Sequence, residues 1–205
     1  MSESTIKQVL LTRLRNKDSS RAQFRAAANK IALVLAEESA NFIKTKKVTV
    51  ETPLETAEGI EYEGKVVLVA ILRSGMSMLP VFRDTYPDAA VGFLGIKRNE
   101  ETAEPEMYYN NIPTIGPDDQ VLILDPTIAT GGTACAALNL LADLNVKQEQ
   151  MMFISVISST QGLEKVRTTF PNVQVTTVGE DTKLNHNKFI LPGVGDYGDR
   201  YFGTE

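Results

Sequence analysis

The chain has 205 residues, of which 42% are hydrophobic and 23% are charged, as in an ordinary folded domain. This length suits one sizeable core, so we predict a single domain over residues 1–205. The net charge of −5 and the pI near 5.1 argue against a nucleic-acid binder, because duplex binding requires many phosphate contacts. The longest aliphatic run, Val66 to Leu72, is too short to span a bilayer. A single cysteine, Cys135, and an amino terminus without a secretory pattern favour the cytoplasm.

The amino-terminal segment, residues 1–45, is predicted to be a helical arm. Residues 4–15 have a helical pattern, and a second helix is expected to begin near Asp18-Ser19-Ser20, all good N-cap residues. The first 30 residues contain seven Lys and Arg against two acids, a local charge of +5 that leaves −10 for the rest. A solvated helix face is the simpler interpretation. Contact with an acidic neighbouring subunit, or with an anionic effector, is the alternative.

Two strands are predicted next in the chain. Residues 47–52 alternate as a strand and lead into an acidic connecting sequence that ends near Gly64. Residues 66–72 form a fully apolar strand that runs into Arg73-Ser74-Gly75. The forked donors of an arginine and the exposed amides of such a turn suit a diphosphate. An ion-paired surface arginine is the alternative.

Residues 91–112 are predicted to form a flap. Residues 91–98 are expected to be a strand and residues 107–110 its return, joined by a polar, acidic tip that is too long for a tight hairpin. Such a flap could close over a reaction that water would spoil, carrying Lys97 and Arg98 to the substrate. A solvated hairpin with ordinary surface charges is the alternative.

The strongest signal is a buried strand, residues 121–124, followed by Asp125-Pro126-Thr127-Ile128-Ala129-Thr130-Gly131-Gly132-Thr133 and a helical pattern. The first amides of a helix have no intrahelical partner and favour a phosphate, which two glycines would allow to approach closely. The lysine of a Walker loop is missing from this stretch. A tight strand-to-helix connection with capping threonines is the alternative.

Further strands are expected at residues 151–157 and 173–178, with a helix at residues 162–170 between them. This alternation predicts an α/β fold with a mostly parallel central sheet flanked by helices, which binds ligands at the carboxyl ends of its strands. Residues 184–205 are expected to be an irregular tail. Gly193, Gly195 and Gly198 have the dinucleotide spacing but lack the strand-turn-helix context. A glycine-rich loop of this kind suits a flat ligand.

Four segments together resemble, in order and spacing, the motifs of uracil phosphoribosyltransferases, which are type I phosphoribosyltransferases. They are residues 71–75, 97–102, 125–133 and 191–199, and the similarity extends from about Arg13 to Thr204. The resemblance implies that uracil and 5-phosphoribosyl-1-pyrophosphate (PRPP) react to give UMP and pyrophosphate. It also implies Mg²⁺ on the diphosphate of PRPP, held through PRPP and water rather than by direct protein ligands.

The resemblance also implies residue roles. Asp125, Arg98 and Asp196 are the catalytic candidates: Asp125 would hold the ribose hydroxyls, Arg98 the pyrophosphate together with Arg73, and Asp196 the PRPP side through metal-bound water. The 5-phosphate would lie on residues 129–133. The full PRPP set is Arg73, Ser74, Arg98, Asp125, Pro126, Thr127, Ile128, Ala129, Thr130, Gly131, Gly132, Thr133 and Asp196. Uracil would be read largely by the main chain of Ile190, Gly195, Asp196 and Tyr197.

Tyr197 occupies a position where many similar bacterial sequences have a small residue, so the fit of the base could differ here. The resemblance suggests a homodimer or homotetramer, whereas the poor match before Leu10 leaves a GTP effector open. Three other functions stay open. The first is transfer to another base, although Pro126 stands where purine enzymes carry a second acid. The second is an RNA-binding regulator of the same fold, and the third an inactive PRPP-binding homologue.

Overall fold

A computed structural model of the chain describes residues 4–98 and 105–204, without the side chain of Arg98. The helices are α1 Thr5–Arg15, α2 Arg21–Ser39, α3 Leu79–Thr85, α4 Gly132–Asp143, α5 Thr160–Thr169 and α6 Tyr197–Phe202. The strands are β1 Thr45–Glu51, β2 Thr56–Tyr62, β3 Val66–Leu72, β4 Ala90–Arg98, β5 Pro105–Asn111, β6 Gln120–Leu124, β7 Thr127–Ile128, β8 Met151–Ile154, β9 Ile157–Ser159, β10 Gln174–Thr176, β11 Gly179–Asp181, β12 Lys183–Leu184 and β13 Ile190–Leu191. Two short 3-10 helices are Ser74–Ser77 and Gln148–Gln150.

The central sheet has six strands in the order β10-β8-β6-β3-β4-β5. Its strands pair in parallel except for β5, which runs antiparallel to β4. Because β3 and β6 are neighbours, the loops that follow them emerge at the same edge of the sheet. The predicted fold class is therefore confirmed.

Both faces of the sheet are covered, which explains the uninterrupted apolar sequence of β3. Leu68 and Ala70 pack into a core with α1, α2 and α3, whereas Val67 and Val69 pack into a second core with α4 and α5. Successive side chains of a strand point to opposite faces, so a strand between two helical layers needs apolar residues at every position.

The amino-terminal helices begin where the sequence predicts. The Oγ of Ser20 accepts a hydrogen bond from the backbone N–H of Gln23 at 3.3 Å, and the backbone N–H of Ser20 donates to Oε1 of Gln23 at 2.8 Å. This reciprocal pair is a capping box, which satisfies two amides at the start of α2. No helix among residues 4–98 and 105–204 is both long enough and apolar enough to cross a membrane.

Three predictions of local structure need correction. The acidic sequence before Gly64 contains β2, which pairs antiparallel with β1 to form a separate hairpin. The strand expected at residues 151–157 is divided into β8, in the central sheet, and β9, in a three-stranded parallel sheet of order β11-β9-β7. The tail is less irregular than expected, because Asp196 caps the short helix α6 by accepting the N–H of Asp199.

The predicted flap begins as the sequence indicates, since β4 and β5 form an antiparallel hairpin. Its tip, residues 99–104, and the side chain of Arg98 lie outside the described residues. A Cβ placed on Gly132 would lie 3.7 Å from Cδ of Pro105, the first residue of β5. The return strand therefore starts beside the loop that follows β6.

Candidate active site

Asp125 is the first residue after β6, at the carboxyl edge of the central sheet. Its backbone N–H donates to the carbonyl of Ile154 at 3.2 Å, and its side chain is buried, with 7% of the residue exposed. Burial raises the pKa of Asp125 to about 7, although the backbone N–H of Thr127, 3.4 Å from Oδ1, acts in the opposite direction. Near neutral pH the carboxyl group is thus close to its titration point.

The loop after Asp125 first forms the short strand β7 and then turns into α4. The carbonyl of Pro126 accepts the N–H groups of Val156 and Ile157, at 2.9 and 3.0 Å, which fixes the loop against β9. Gly131 has φ of +74°, and a Cβ there would lie 2.7 Å from the carbonyl oxygen of Gly162. Only glycine fits this left-handed turn without strain. Residues 127–134 and Asp125 enclose a cavity of about 110 Å³.

The start of α5 supports this loop through hydrogen bonds that the sequence does not predict. Ser159 Oγ accepts the N–H of Gly162 at 2.9 Å and donates to the carbonyl of Ala129. A Cβ on Gly162 would lie 2.4 Å from that same carbonyl oxygen. The only local signal is a serine three residues before a glycine at a helix start, and it does not reveal which loop lies opposite.

The loop after β3 lies beside Asp125, as the neighbouring strands require. A Cβ on Gly75 would lie 2.2 Å from the carbonyl oxygen of Leu124, so this glycine allows the two loops to touch. Arg73 is exposed, and its Nη2 is 3.4 Å from Oδ1 of Asp199 in α6. The ion-paired arrangement considered above is therefore present, and the partner belongs to the tail.

A second cavity, of about 260 Å³, lies between the tail and these loops. The residues that line it are Ser74, Thr127, Ala129, Ile157, Asn187, Lys188, Phe189, Ile190, Val194, Gly195, Asp196, Tyr197 and Gly198. All four residues expected to read a base are among them. Thr127 and Ala129 line both cavities, so the two spaces share a wall.

The ring of Tyr197 is part of the core rather than an open surface. Its centroid is 5.2 Å from that of Phe24 in an edge-to-face contact, and 6.2 Å from that of Tyr201, which is stacked on it. Burial raises the pKa of the Tyr197 hydroxyl despite a hydrogen bond with Ser77. The aromatic residue at this position thus serves to pack α6 against α2.

Asp196 is exposed beside the larger cavity, and its Oδ1 accepts the N–H of Asp199 at 2.9 Å. No cluster of three or more His, Cys, Asp or Glu side chains within residues 4–98 and 105–204 could hold a metal ion. A Mg²⁺ ion that binds mainly through substrate phosphates and water needs only one or two such carboxylates. The exposed carboxylate of Asp196 could accept a hydrogen bond from a water molecule on such an ion.

Known proteins of one family resemble this chain over nearly its whole length. The profile of the family described as "Uracil phosphoribosyltransferase" matches residues 1–204. A protein of Campylobacter concisus named uracil phosphoribosyltransferase is 40% identical over 95% of this chain and 92% of its own length. The solved structure of the AQ2163 protein from Aquifex aeolicus, 33% identical, superposes with a TM-score of 0.89 and covers 100% of this chain and 97% of its own.

A more distant structure shares the fold alone. Adenine phosphoribosyl transferase from Trypanosoma brucei is 12% identical, with a TM-score of 0.57 over 92% of this chain and 85% of its own. The match of the family profile over nearly the whole chain, and the 40% identity to a curated member, identify the family. The chain belongs to the uracil phosphoribosyltransferase family.

Proposed function

We propose that this protein transfers the 5-phosphoribosyl group of PRPP to uracil, giving UMP and pyrophosphate. The observation that carries the proposal is the shared wall of the two cavities, formed by Thr127 and Ala129. A phosphorylated ribose in the smaller cavity and a planar base in the larger one would therefore be neighbours, next to Thr127 and Ala129. The reaction joins those two groups, and holding reactants in contact is a large part of catalysis.

The smaller cavity suits a phosphorylated sugar. The start of α4 lines this cavity. The first amide groups of a helix have no intrahelical partner and the helix dipole is positive there, which favours a 5-phosphate at residues 129–133. Asp125 lines the same cavity, and its ionised carboxylate can accept hydrogen bonds from two ribose hydroxyls. We therefore assign the phosphorylated sugar to this cavity, with its phosphate at residues 129–133 and its ribose hydroxyls at Asp125.

The larger cavity suits uracil. Its tail side is lined by Ile190, Gly195 and Asp196, where a glycine with φ of +74° brings the main chain close to the cavity. Uracil presents two carbonyl acceptors and an imide donor, which backbone N–H and C=O groups can match. A base with an exocyclic amine would leave a backbone donor facing another donor, and unpaired buried polar groups are costly.

The diphosphate would lie at the open side of the site, between the loop of Arg73, the end of β4 where Arg98 lies, and the exposed carboxylate of Asp196. When Mg²⁺ is bound to the diphosphate, it neutralises part of the charge that develops on the leaving group. Arg73 and Arg98 would bind the phosphate oxygens with their forked donors. Asp196 would orient a metal-bound water with the carboxylate oxygen that does not cap α6.

The chain's contribution to the chemistry is positioning and charge. As the bond between C1 and the diphosphate breaks, positive charge builds on the ribose ring and negative charge on the departing group. Asp125 near the ring and the arginines near the diphosphate stabilise these charges where they develop. The tail holds the base nitrogen against C1 and excludes water from the reacting centre.

Three accompanying proposals concern assembly, regulation and location. Leu54 and Ile60 of the β1–β2 hairpin are 95% and 71% exposed, which supports a homodimer or homotetramer.

A cavity of about 530 Å³ between α1 and α2, with Arg13 and Lys30 in its wall, supports an anionic effector such as GTP, which an assay with and without GTP would test. We place the protein in the cytoplasm, because its one cysteine, Cys135, is free and buried.

The test is to incubate the purified protein with PRPP, Mg²⁺ and one of uracil, cytosine, orotate, hypoxanthine or adenine, and to measure pyrophosphate and nucleotide. We expect UMP from uracil and little product from the others. The Asp125→Asn protein, which keeps the shape of the side chain, should be at least about 100-fold slower, the loss typical of an electrostatic stabiliser.

Product from another base would replace uracil in this proposal. No product from any base, with PRPP still bound, would favour the inactive homologue. RNA binding at moderate salt in that case would favour the regulator.

A further inference from the structure

A partly buried ion pair joins α1 to β11 and holds the tail at Gly193. Arg15, the last residue of α1, donates from Nη1 to Oδ2 of Asp181 at 2.7 Å and from Nη2 to Oδ1 at 2.8 Å. The side chains are 28% and 8% exposed, respectively. Two parallel hydrogen bonds between a guanidinium and a carboxylate fix the distance and the relative orientation of the two groups. The contact therefore also orients any further residue that is hydrogen-bonded to them.

Both partners also hold Gly193. Oδ2 of Asp181 accepts the backbone N–H of Gly193 at 2.9 Å, and Nη1 of Arg15 donates to its carbonyl oxygen at 3.1 Å. Gly193 has φ of +60°, and a Cβ there would lie 2.0 Å from the carbonyl oxygen of Ile190. Both polar groups of this peptide turn are therefore bound to one ion pair. The turn lies between Ile190 and Gly195, which line the base cavity.

The charge state of Asp181 agrees with this arrangement. Burial by itself raises the pKa of Asp181, but the hydrogen bond from Arg15, the N–H of Gly193 and the charge of Arg15 outweigh it, so that its pKa is lowered. The carboxylate is therefore ionised at neutral pH, when Arg15 is also charged. A buried charge that loses its partner is strongly destabilised, so each member depends on the other.

We propose that Arg15 and Asp181 are positioning residues for uracil, which fix the base-binding turn through Gly193 although neither lines the base cavity. The inference rests on the proposed function and extends it to residues outside the site. A base that is read by main-chain groups gains nothing from the identity of the side chains beside it, so its affinity depends on where the backbone stands. Productive geometry tolerates displacements of only about 0.5 Å.

A second anchor keeps the tail folded when this one is weakened. Nη1 of Arg200 donates to the carbonyl oxygen of Val194 at 2.7 Å, and Nη2 donates to that of Asn16 at 2.7 Å. The guanidinium also lies 4.4 Å from the ring centroid of Phe24. Loss of the Arg15 contact should therefore loosen the turn at Gly193 without releasing the tail from α1.

The experiment compares Asp181→Asn, Arg15→Lys and Arg15→Met with Glu38→Gln. The control removes the charge pair of Lys7 and Glu38, which joins α1 to α2 within the arm and does not touch the tail. For Asp181→Asn and Arg15→Met we expect the KM for uracil to rise about 10- to 100-fold, the loss typical of hydrogen bonds to charged groups. The KM for PRPP should stay within about twofold, because the hydrogen bonds of Arg15 and Asp181 hold Gly193 rather than residues 129–133.

Arg15→Lys keeps the charge but not the fork, so it should recover part of the uracil affinity of the Met variant. Glu38→Gln should behave like the wild-type protein. An unchanged KM for uracil in Asp181→Asn, or equal increases in both KM values, would overturn the positioning role. A wild-type protein that makes no UMP would instead overturn the proposed function, so the two failures are distinguishable.

Discussion

A carboxyl group buried at the end of β6 is costly to ionise, yet its proposed role requires the ionised form. Asp125 is 7% exposed, and the backbone N–H of Thr127, which donates to its side chain, lies at 3.4 Å. Such a site favours the neutral acid until a ligand brings further donors. Two ribose hydroxyls would be donors of that kind, so we expect the binding of PRPP to stabilise the charge.

The first prediction concerns stability. Because the pKa of Asp125 is raised from 3.8 to about 7, its contribution to folding is fully present below about pH 4 and is lost as the pH rises through about 7. Asp125→Asn removes this loss. The difference in the free energy of unfolding between this variant and the wild type should therefore be about 2–3 kcal/mol larger, in favour of the variant, at pH 8 than at pH 5. Urea denaturation at pH 5 and pH 8 measures this difference, and Asp88→Asn, at an exposed position, is the control. An equal difference at the two pH values would contradict the prediction.

The second prediction concerns the rate. Neutral Asp125 accepts hydrogen bonds less well, so kcat/KM for PRPP should fall as the pH drops through about 7, the pKa of the free protein. The 5-phosphate of PRPP also titrates, near pH 6, and contributes to any profile. The residual activity of Asp125→Asn reports that contribution by itself. If the variant and the wild type showed the same profile, Asp125 would not be the titrating group.

At the scale of single elements, the phosphate loop depends on one unusual backbone conformation. Gly131→Ala places a Cβ at φ of +74° and 2.7 Å from the carbonyl oxygen of Gly162, so it should lower the free energy of unfolding by about 1–3 kcal/mol. Gly132→Ala is the matched control, because its nearest neighbour would be Thr130 Oγ1 at 3.5 Å and alanine favours a helix. Equal losses in thermal unfolding would show that the turn is not strained.

The sequence predicts best those elements in which every residue is buried by neighbouring elements. β3 and β6 lie between two apolar layers, so each position is apolar and the pattern is unmistakable. The sequence does not predict β2, because its glycine and glutamates disfavour strands and its pairing with β1 is not a local pattern. The β11-β9-β7 sheet has no local signal, since its short strands pair residues that lie far apart in the chain.

The same reasoning applies to the site. Asp125 and the glycines of its loop are contiguous, so their arrangement follows from a local pattern. The pair of Arg15 and Asp181 spans 166 positions, and either residue alone resembles an ordinary surface charge. The sequence favours a solvated face for the positive arm, yet Arg15 binds Asp181, and Nε of Arg25 donates to the carbonyl oxygen of Tyr201 at 2.7 Å. Part of that charge therefore attaches the tail.

At the scale of the whole molecule, a further prediction concerns assembly. The mass of one chain is 22.5 kDa, and we expect light scattering to give at least twice that value. Ile60→Lys places a charge on the exposed face of the β1–β2 hairpin and should shift the protein toward the monomer. Leu144→Lys, at the end of α4, is the control with a comparable change on another surface. A dimer that persists in Ile60→Lys would exclude this hairpin as the interface.

The ion pair between Arg73 and Asp199 bears on the order in which substrates bind. A diphosphate that binds Arg73 must take it from Asp199, a residue of the base-binding tail, so the arrival of one substrate alters the surroundings of the other. The two side chains are 62% and 29% exposed, and such a pair contributes at most about 1 kcal/mol. The coupling between the substrates should therefore be weak, about fivefold at most, and should fade as salt is added.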